Sequence, residues 1–273
     1  MVKYILEKIN KTAIIIFYRR TQIMTKTILF DLDNTLILFD EAKFFKAYIK
    51  KVAPMMSDIA SPQVLWQMVL SATKSVLYNN GEITNQEIFK QTFARKFGNQ
   101  TEEIWQRFIR FYKNEFDHLK SLVKVNKGVS EIFSFLSKNN VKIVIASNPF
   151  WPCIAMEKRM EWAGIKKEQV NLITHMENMH FCKPRLEYYQ EICHKINEKP
   201  ENCLMVGDDP INDMVVGNLG MKTFLTTDSI QYKSQLRAIS KKIRLGFTLK
   251  KNKIDSDYTG PLIRLRGVLE SLL

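Results

Sequence analysis

Polar residues that can carry chemistry stand after or near four apolar runs of the sequence. Each of them alone could be a helix cap or a turn former. An acidic pair, a hydroxyl, a lysine and a second acidic cluster in this order are hard to explain as independent caps. Carboxylates in such a set can act as nucleophiles, exchange protons or bind cations. In chain order the residues are Asp31 and Asp33, Ser147 and Asn148, Lys183, and Asp208, Asp209 and Asp213.

The elements that position these residues are predicted by apolar or β-branched runs, which alternate with helix-like segments. The runs read KTILF, VKIVIAS, NLITH, CLMVGDD and KTFL. Such alternation predicts an α/β fold, a doubly wound parallel sheet with helices on both faces. Because ligands of open α/β sheets bind at the carboxyl ends of the strands, we expect the polar residues to converge on one rim.

The first and second predicted strands are separated by an insertion, residues 37–126, that is far longer than a usual crossover connection. Apolar residues at helical spacing predict about four helices within it. We expect residues 24–36 and 127–273 to form the α/β core. Met24 opens MTKTILFDLD just before the first strand, so we interpret residues 1–23 as a loose extension or an artefact of an upstream start.

Four short motifs, DLDNT, ASN, CKP and GDDPIND, occur in this order along the chain. In type and order they resemble the four motifs of the haloacid dehalogenase (HAD) superfamily. The resemblance covers about residues 26–227 and favours the phosphatase branch. It implies a Rossmann-like HAD core, and it implies that the insertion is a helical cap of the C1 type.

The resemblance also implies an activity, that of a magnesium-dependent phosphoryl hydrolase acting on a small phosphorylated metabolite. Asp31 would be the nucleophile and would form an aspartyl-phosphate. Asp33, which lies about 7 Å further along the same side of an extended chain, would protonate the leaving alcohol and later activate water. Magnesium would be held by the Asp31 carboxylate, the Asp33 backbone carbonyl and Asp208, since this ion prefers oxygen ligands.

The same resemblance assigns supporting roles to other polar residues. Ser147 and Asn148 would bind phosphoryl oxygens, and Lys183 would neutralise their charge. We expect Thr35 to support its loop by a local hydrogen bond and Asp213 to orient Lys183 or a metal-bound water. The remaining acid of the fourth motif, Asp209, is interpreted as an additional acid near the metal.

Other functions stay open at this point. Haloacid dehalogenases lack the second aspartate of the first motif, so Asp33 argues against that branch. A phosphomutase of the same superfamily would keep all four motifs and is the alternative. A weaker alternative is a nucleic-acid or protein-binding module that uses the basic segment 228–253.

The formal net charge of +13 is concentrated near the ends of the chain. Residues 228–253 carry eight basic residues and one acidic residue, whereas residues 28–227 are nearly neutral. We interpret the basic segment as a solvated lysine-rich surface, and we expect no nucleic-acid partner because no nucleic-acid motif occurs. The sequence indicates no oligomeric state.

Cysteine usage and hydropathy indicate the compartment. The four cysteines form no CxxC pair, which favours a reduced, cytoplasmic setting. The apolar stretch at residues 12–18 is shorter than the roughly 20 residues of a membrane span, and no signal-peptide cleavage site follows it. We therefore expect no membrane association.

Overall fold

The computed structural model describes residues 25–229 and 255–273, which contain eight strands and eight α-helices. The extension 1–23 and residues 230–253 of the basic segment lie outside the described residues. The strands are β1 (Thr27–Phe30), β2 (Ile37–Leu38), β3 (Lys124–Val125), β4 (Lys142–Ile145), β5 (Leu172–Ile173), β6 (Cys203–Gly207), β7 (Lys222–Thr226) and β8 (Tyr258–Gly260). The helices are α1 (Glu41–Val52), α2 (Pro62–Leu77), α3 (Asn85–Phe97), α4 (Thr101–Asn114), α5 (Val129–Leu136), α6 (Cys153–Trp162), α7 (Leu186–Lys195) and α8 (Leu265–Leu272).

Six of the strands form one parallel sheet in the order β5-β4-β1-β6-β7-β8. The central strand, β1, is buried along its whole length. Ile28 and Phe30 belong to one apolar cluster, which also contains Ile132 of α5 and Leu265 of α8. Leu29, which points to the opposite face, belongs to a second cluster with Tyr188 and Ile192 of α7.

The predicted fold class, a doubly wound parallel sheet with an inserted helical segment, is confirmed. All five predicted strands are present, and each is a largely apolar run whose residues are buried or partly buried. The sheet has one more strand than predicted, β8, which is only three residues long and reads YTG. A sequence of that length and composition has no apolar run to mark it.

The insertion contains four α-helices, α1 to α4, in agreement with the sequence prediction. Each of the first three begins at a polar cap: the side chains of Asp40, Ser61 and Thr84 accept hydrogen bonds from the first turn of α1, α2 and α3. Such caps satisfy backbone donors that have no partner inside the helix. The chain leaves the core and returns to it through a two-stranded antiparallel ribbon, β2 and β3, which the sequence analysis did not predict.

Within residues 25–229 and 255–273, no helix is both long enough and apolar enough to cross a membrane.

Candidate active site

The carboxyl ends of the three central strands carry most of the polar residues that the sequence analysis singled out. Asp31 directly follows β1, and its backbone N–H donates to the carbonyl of Val206 at 2.8 Å. Ser147 follows β4 by two residues, and Asp208 directly follows β6. The parallel register therefore brings them to one rim, as predicted.

Lys183 is the centre of a buried ion cluster at this rim. Its Nζ atom donates to Asp31 Oδ1 at 2.7 Å and to Asp213 Oδ1 at 2.6 Å. All three side chains are at most one-tenth exposed. Burial alone would lower the pKa of Lys183, but the carboxylates of Asp213 and Asp31 raise it well above its usual range. The lysine therefore stays charged beside Asp31, where it can neutralise an anion.

The acidic residues of the rim lie close enough together to bind a cation. Carboxylate oxygens of Asp31, Asp208 and Asp213 all lie within 4.8 Å of one another. Burial, together with the charges of Asp31 and Asp213, raises the pKa of Asp208 well above its usual range. Burial likewise raises the pKa of Asp213 to about 7, although Lys183 opposes the shift. A divalent cation would relieve this repulsion between carboxylates, so the donor set fits a hard metal ion.

The position of the Asp213 side chain explains why the last residue of β6, Gly207, is a glycine. A Cβ atom on Gly207 would lie 2.2 Å from Asp213 Oδ2, closer than two such atoms can approach. The same Oδ2 atom accepts a hydrogen bond from the backbone N–H of Asp209 at 3.0 Å. The carboxylate is therefore fixed on both oxygens, one toward the lysine and one toward the following loop.

Asp33 has a partner that the sequence analysis missed. Arg159 of α6 donates from Nη2 to Asp33 Oδ1, and the arginine side chain is 1% exposed. Its Cζ atom lies 5.0 Å from the centre of the Trp151 ring, a cation–π contact. Burial lowers the pKa of Arg159 to about 9, so the guanidinium remains charged at neutral pH. Asp33 is thus held by an ion pair at the edge of the rim.

Ser147 and Asn148 lie at the same rim and contact its other members. The Ser147 carbonyl accepts hydrogen bonds from the hydroxyls of Tyr188 at 2.8 Å and Thr174 at 2.7 Å, which fix the backbone there. Asn148 Oδ1 accepts from the backbone N–H of Lys183 at 3.0 Å. Asn148 therefore positions the lysine, in addition to the contact with phosphoryl oxygens expected for it.

Two supporting residues, Thr35 and Asp209, make contacts that the sequence does not specify. The Thr35 hydroxyl is buried without a partner among the described residues, so it does not make the local hydrogen bond expected for this residue. The Thr35 carbonyl accepts a hydrogen bond from Asn126 Nδ2 at 2.8 Å. Asp209 shapes a turn, since its Oδ1 accepts from the backbone N–H groups of Ile211 and Asn212 at 2.8 and 3.0 Å. The Asp209 side chain is therefore engaged in its own turn, while it also lines the acidic cavity.

These residues line a cavity of about 510 Å³. Among its described lining residues, six carboxylates stand against one lysine and one arginine, which is a further reason to expect a cation there. The cavity also has an aromatic wall, which comes from α1, from the segment just before it and from the loop before α6. Its members, Phe39, Phe44, Phe45, Phe150 and Trp151, were not singled out by the sequence analysis.

Four other residues of the insertion, Lys43, Lys46, Trp66 and Tyr78, lie in different environments. Trp66 lines a second cavity, and Lys46 lines an outer groove. Lys43 is 79% exposed at its side chain and pairs with Asp40. Tyr78 is 77% exposed. The polar cavity therefore has an aromatic rather than a lysine-bearing wall on the side of α1.

Comparison with known proteins agrees with this geometry. A protein-family profile described as haloacid dehalogenase-like hydrolase matches residues 25–218. No curated protein sequence matches the chain significantly.

Similar solved structures share the fold at low sequence identity. A predicted phosphoglycolate phosphatase from Haemophilus somnus 129PT is 14% identical, covering 89% of this chain and 97% of its own, with a TM-score of 0.51. A protein proposed to be a β-phosphoglucomutase, from Thermotoga maritima, is 17% identical, covering 91% and 100%, with a TM-score of 0.52. YfnB of Bacillus subtilis, proposed to be a HAD hydrolase and solved with magnesium, is 20% identical, covering 90% and 99%, with a TM-score of 0.52. These likenesses confirm the predicted HAD-type fold.

Proposed function

Because the chain belongs to the haloacid dehalogenase-like hydrolases, we propose that it is a magnesium-dependent phosphatase that hydrolyses small phosphomonoesters through an aspartyl-phosphate. The observation that carries this proposal is the buried contact of Lys183 Nζ with both Asp31 and Asp213, next to Asp208. A lysine so placed supplies positive charge beside a carboxylate nucleophile, where a phosphate anion must approach.

The residues that would hold magnesium are Asp31, Asp208 and the backbone carbonyl of Asp33. When bound, the ion would neutralise charge on the phosphoryl oxygens and on the acidic rim. Asp213 is the third acid of the cluster, but its two oxygens are already engaged by Lys183 and by the backbone of Asp209. We therefore assign it to positioning the lysine rather than to the ion.

The reaction proceeds in two displacements. In the first, an Asp31 carboxylate oxygen attacks phosphorus, the bond to the ester oxygen breaks, and the protonated form of Asp33 gives its proton to the departing alcohol. In the second, Asp33 removes a proton from water, the resulting hydroxide attacks phosphorus, and the Asp31 carboxylate departs with free phosphate as the product. Lys183 and Ser147 face the transferred group in both steps. Arg159 keeps Asp33 at the edge of the cavity.

The test is hydrolysis of p-nitrophenyl phosphate with magnesium or with excess chelator, in the parent chain and in Asp31→Asn. We expect phosphate release with magnesium only, and none from the variant. Undiminished release in chelator would contradict the metal assignment, and substantial turnover by Asp31→Asn would contradict the nucleophile. A phosphomutase would use the same groups, but it would return isomerised sugar phosphate without accumulating free phosphate, so phosphate release separates the two activities.

A further inference from the structure

A second cavity of about 310 Å³ lies between the helical insertion and core residues that include the loop before α6, next to the polar cavity of the active site. Three residues, Phe45, Phe150 and Trp151, line both cavities. Phe45 and Trp151 are stacked, with ring centres 6.1 Å apart and an angle of 12° between their planes. The two cavities therefore adjoin at these aromatic side chains, and one of them, Phe45, is 36% exposed.

The chemistry of the second cavity differs from that of the rim. Among its described lining residues, none is charged. The hydroxyls of Tyr48 and Tyr112 bond to each other at 2.8 Å, and the Thr73 hydroxyl donates to the carbonyl of Val69 at 2.9 Å. A charged or hydroxyl-rich group placed there would lose its hydrogen bonds to water and find few partners in the cavity. An apolar group would instead be stabilised by burial of its surface.

The size of the second cavity sets the size of its occupant. An apolar cavity of about 150 Å³ accommodates benzene, and this one is about 310 Å³. Its walls include the rings of Trp66, Trp105 and Phe108, which offer flat faces and edges to a flat ligand. The cavity therefore matches two fused aromatic rings better than a single ring or a sugar.

We propose that the second cavity binds the leaving group of the substrate, and that this group is an uncharged aromatic group of up to two fused rings. The proposal rests on the proposed phosphatase function, since the phosphate must lie at Asp31 for the rest of the ester to reach past Phe45. Substrates whose second half carries a carboxylate or another phosphate are poor ligands for this cavity. Lys90, whose Nζ atom lies 5.7 Å from the centre of the Trp105 ring, does not line the cavity and pairs with Glu102. Lys43 pairs with Asp40, and Lys46 lines an outer groove.

The experiment compares kcat/KM for 2-naphthyl phosphate and phenyl phosphate, with magnesium present. Both esters release a phenol, so the ratio of their kcat/KM values reports binding of the second ring rather than the ease of bond cleavage. We expect the parent chain to prefer the naphthyl ester by on the order of 10-fold or more, because an additional ring buries additional apolar surface.

A cavity-filling variant, Val69→Phe, tests whether the preference for the naphthyl ester arises in the second cavity. Val69 lies on α2 and lines the cavity, whereas Leu77 at the end of the same helix is 39% exposed and does not line it. We expect the naphthyl preference to fall to near unity in Val69→Phe and to persist in the control Leu77→Phe. If Val69→Phe does not fold, as judged by thermal melting, Thr73→Leu fills the same space from the next turn of α2.

A second readout does not depend on turnover. Three of the four tryptophans, Trp66, Trp105 and Trp151, line the cavity, so binding of 2-naphthol should change tryptophan fluorescence. We expect the Kd of 2-naphthol to rise by on the order of 10-fold in Val69→Phe and to stay unchanged in Leu77→Phe.

Two outcomes would overturn the inference and leave the phosphatase standing: equal kcat/KM for the two esters in the parent chain, or a naphthyl preference that survives both cavity-filling variants. Failure of the parent chain to hydrolyse either ester with magnesium would instead overturn the phosphatase, and with it the inference about its leaving group. The two failures are therefore distinguishable.

Discussion

Arg159 provides a sharp test of how the rim is organised, because it contacts Asp33 and lies on a different element. The change we consider is Arg159→Met, which keeps an unbranched side chain of similar length and removes the charge and the donors. The arginine Nη2 atom donates to Asp33 Oδ1, and its Nη1 atom lies 3.6 Å from Met156 Sδ. The variant therefore removes the ion pair and leaves an apolar neighbourhood that methionine can fill.

The magnitude follows from the burial of the two partners. A hydrogen bond to a charged group contributes about 1.5–3 kcal/mol, and the loss of that positioning in the transition state corresponds to a fall in kcat/KM of about 10- to 150-fold. The effect on the free energy of unfolding should be smaller, about 1 kcal/mol, because the Asp33 side chain is 28% exposed and water can solvate it. Catalysis should therefore suffer much more than stability.

The assay uses two esters of similar size, p-nitrophenyl phosphate and benzyl phosphate. The benzyl alkoxide needs a proton as it leaves, whereas nitrophenolate does not, so misplacement of the proton donor Asp33 affects the first step only for benzyl phosphate. We expect the kcat/KM of Arg159→Met, which reports the first displacement, to fall further with benzyl phosphate than with p-nitrophenyl phosphate. Arg159→Lys keeps the charge without the planar fork, and it should recover part of the loss.

The matched control is Lys158→Met, one residue earlier on the same helix. Lys158 pairs with Asp117 and does not line the cavity, so its loss should leave the ratio of the two kcat/KM values unchanged. Equal losses of kcat/KM with both esters in Arg159→Met would refute the reasoning, because a merely structural role would lower both alike. An unchanged kcat/KM with benzyl phosphate would refute it more directly.

Two further predictions concern the carboxylates of the rim. Asp33→Asn should still form an acid-stable phosphoenzyme from p-nitrophenyl phosphate, detected by mass spectrometry of the peptide with residues 27–39, but should turn over on the order of 100- to 10,000-fold more slowly; label on Asp33 instead of Asp31 in the parent chain would show that the roles are exchanged. With excess chelator present, Asp208→Asn should raise the free energy of unfolding, and by more at pH 8 than at pH 5. The pKa of Asp208 in the folded state is raised above 3.8. As the pH rises from the unfolded to the folded pKa of this group, the parent chain therefore loses up to about 1.4 kcal/mol of stability per pH unit. Urea unfolding measures the difference, and a stabilisation that did not grow with pH would contradict the buried, repelled state of this carboxyl group.

The rim could be predicted from the sequence because its residues follow strands that are recognisable as apolar runs. β1, β4 and β6 are continuous apolar runs, and the positions after them in a parallel sheet are fixed by the direction of the strands. Asp31, Ser147 and Asp208 then fall at one rim without any knowledge of the turns between strands. The ribbon of β2 and β3, two residues in each strand, offers no comparable signal.

Arg159 was missed although a signal existed. Residues Ala155, Met156, Arg159 and Met160 are all buried, which is the i, i+1, i+4, i+5 pattern of one helix face. An arginine on an apolar face requires a buried acid or an aromatic ring as its partner, so the pattern predicts a partner without identifying it. The contact between Thr35 and Asn126, by contrast, joins residues 91 positions apart, and no local pattern indicates such a pairing.

The two halves of the site are joined through one residue, Asn34, which directly follows Asp33. Asn34 has a φ of 59°, a left-handed conformation that asparagine tolerates better than most residues. Its Nδ2 atom donates to Glu41 Oε1 at 3.2 Å, and its Oδ1 atom accepts from the backbone N–H of Phe39 at 3.2 Å. Glu41 begins α1, the helix that carries Phe45.

This linkage means that the loop holding Asp33 and the first turn of α1 are positioned together. Under the proposed mechanism, the acid that exchanges protons with the leaving group is therefore positioned relative to the aromatic wall that the same leaving group would pass. A displacement of α1 that widened the entrance at Phe45 would pull on Asn34, and through it on Asp33, whose other anchor is Arg159 on α6. The same few contacts would then govern both selection of the leaving group and its protonation, and they require residues of the core and of the insertion together.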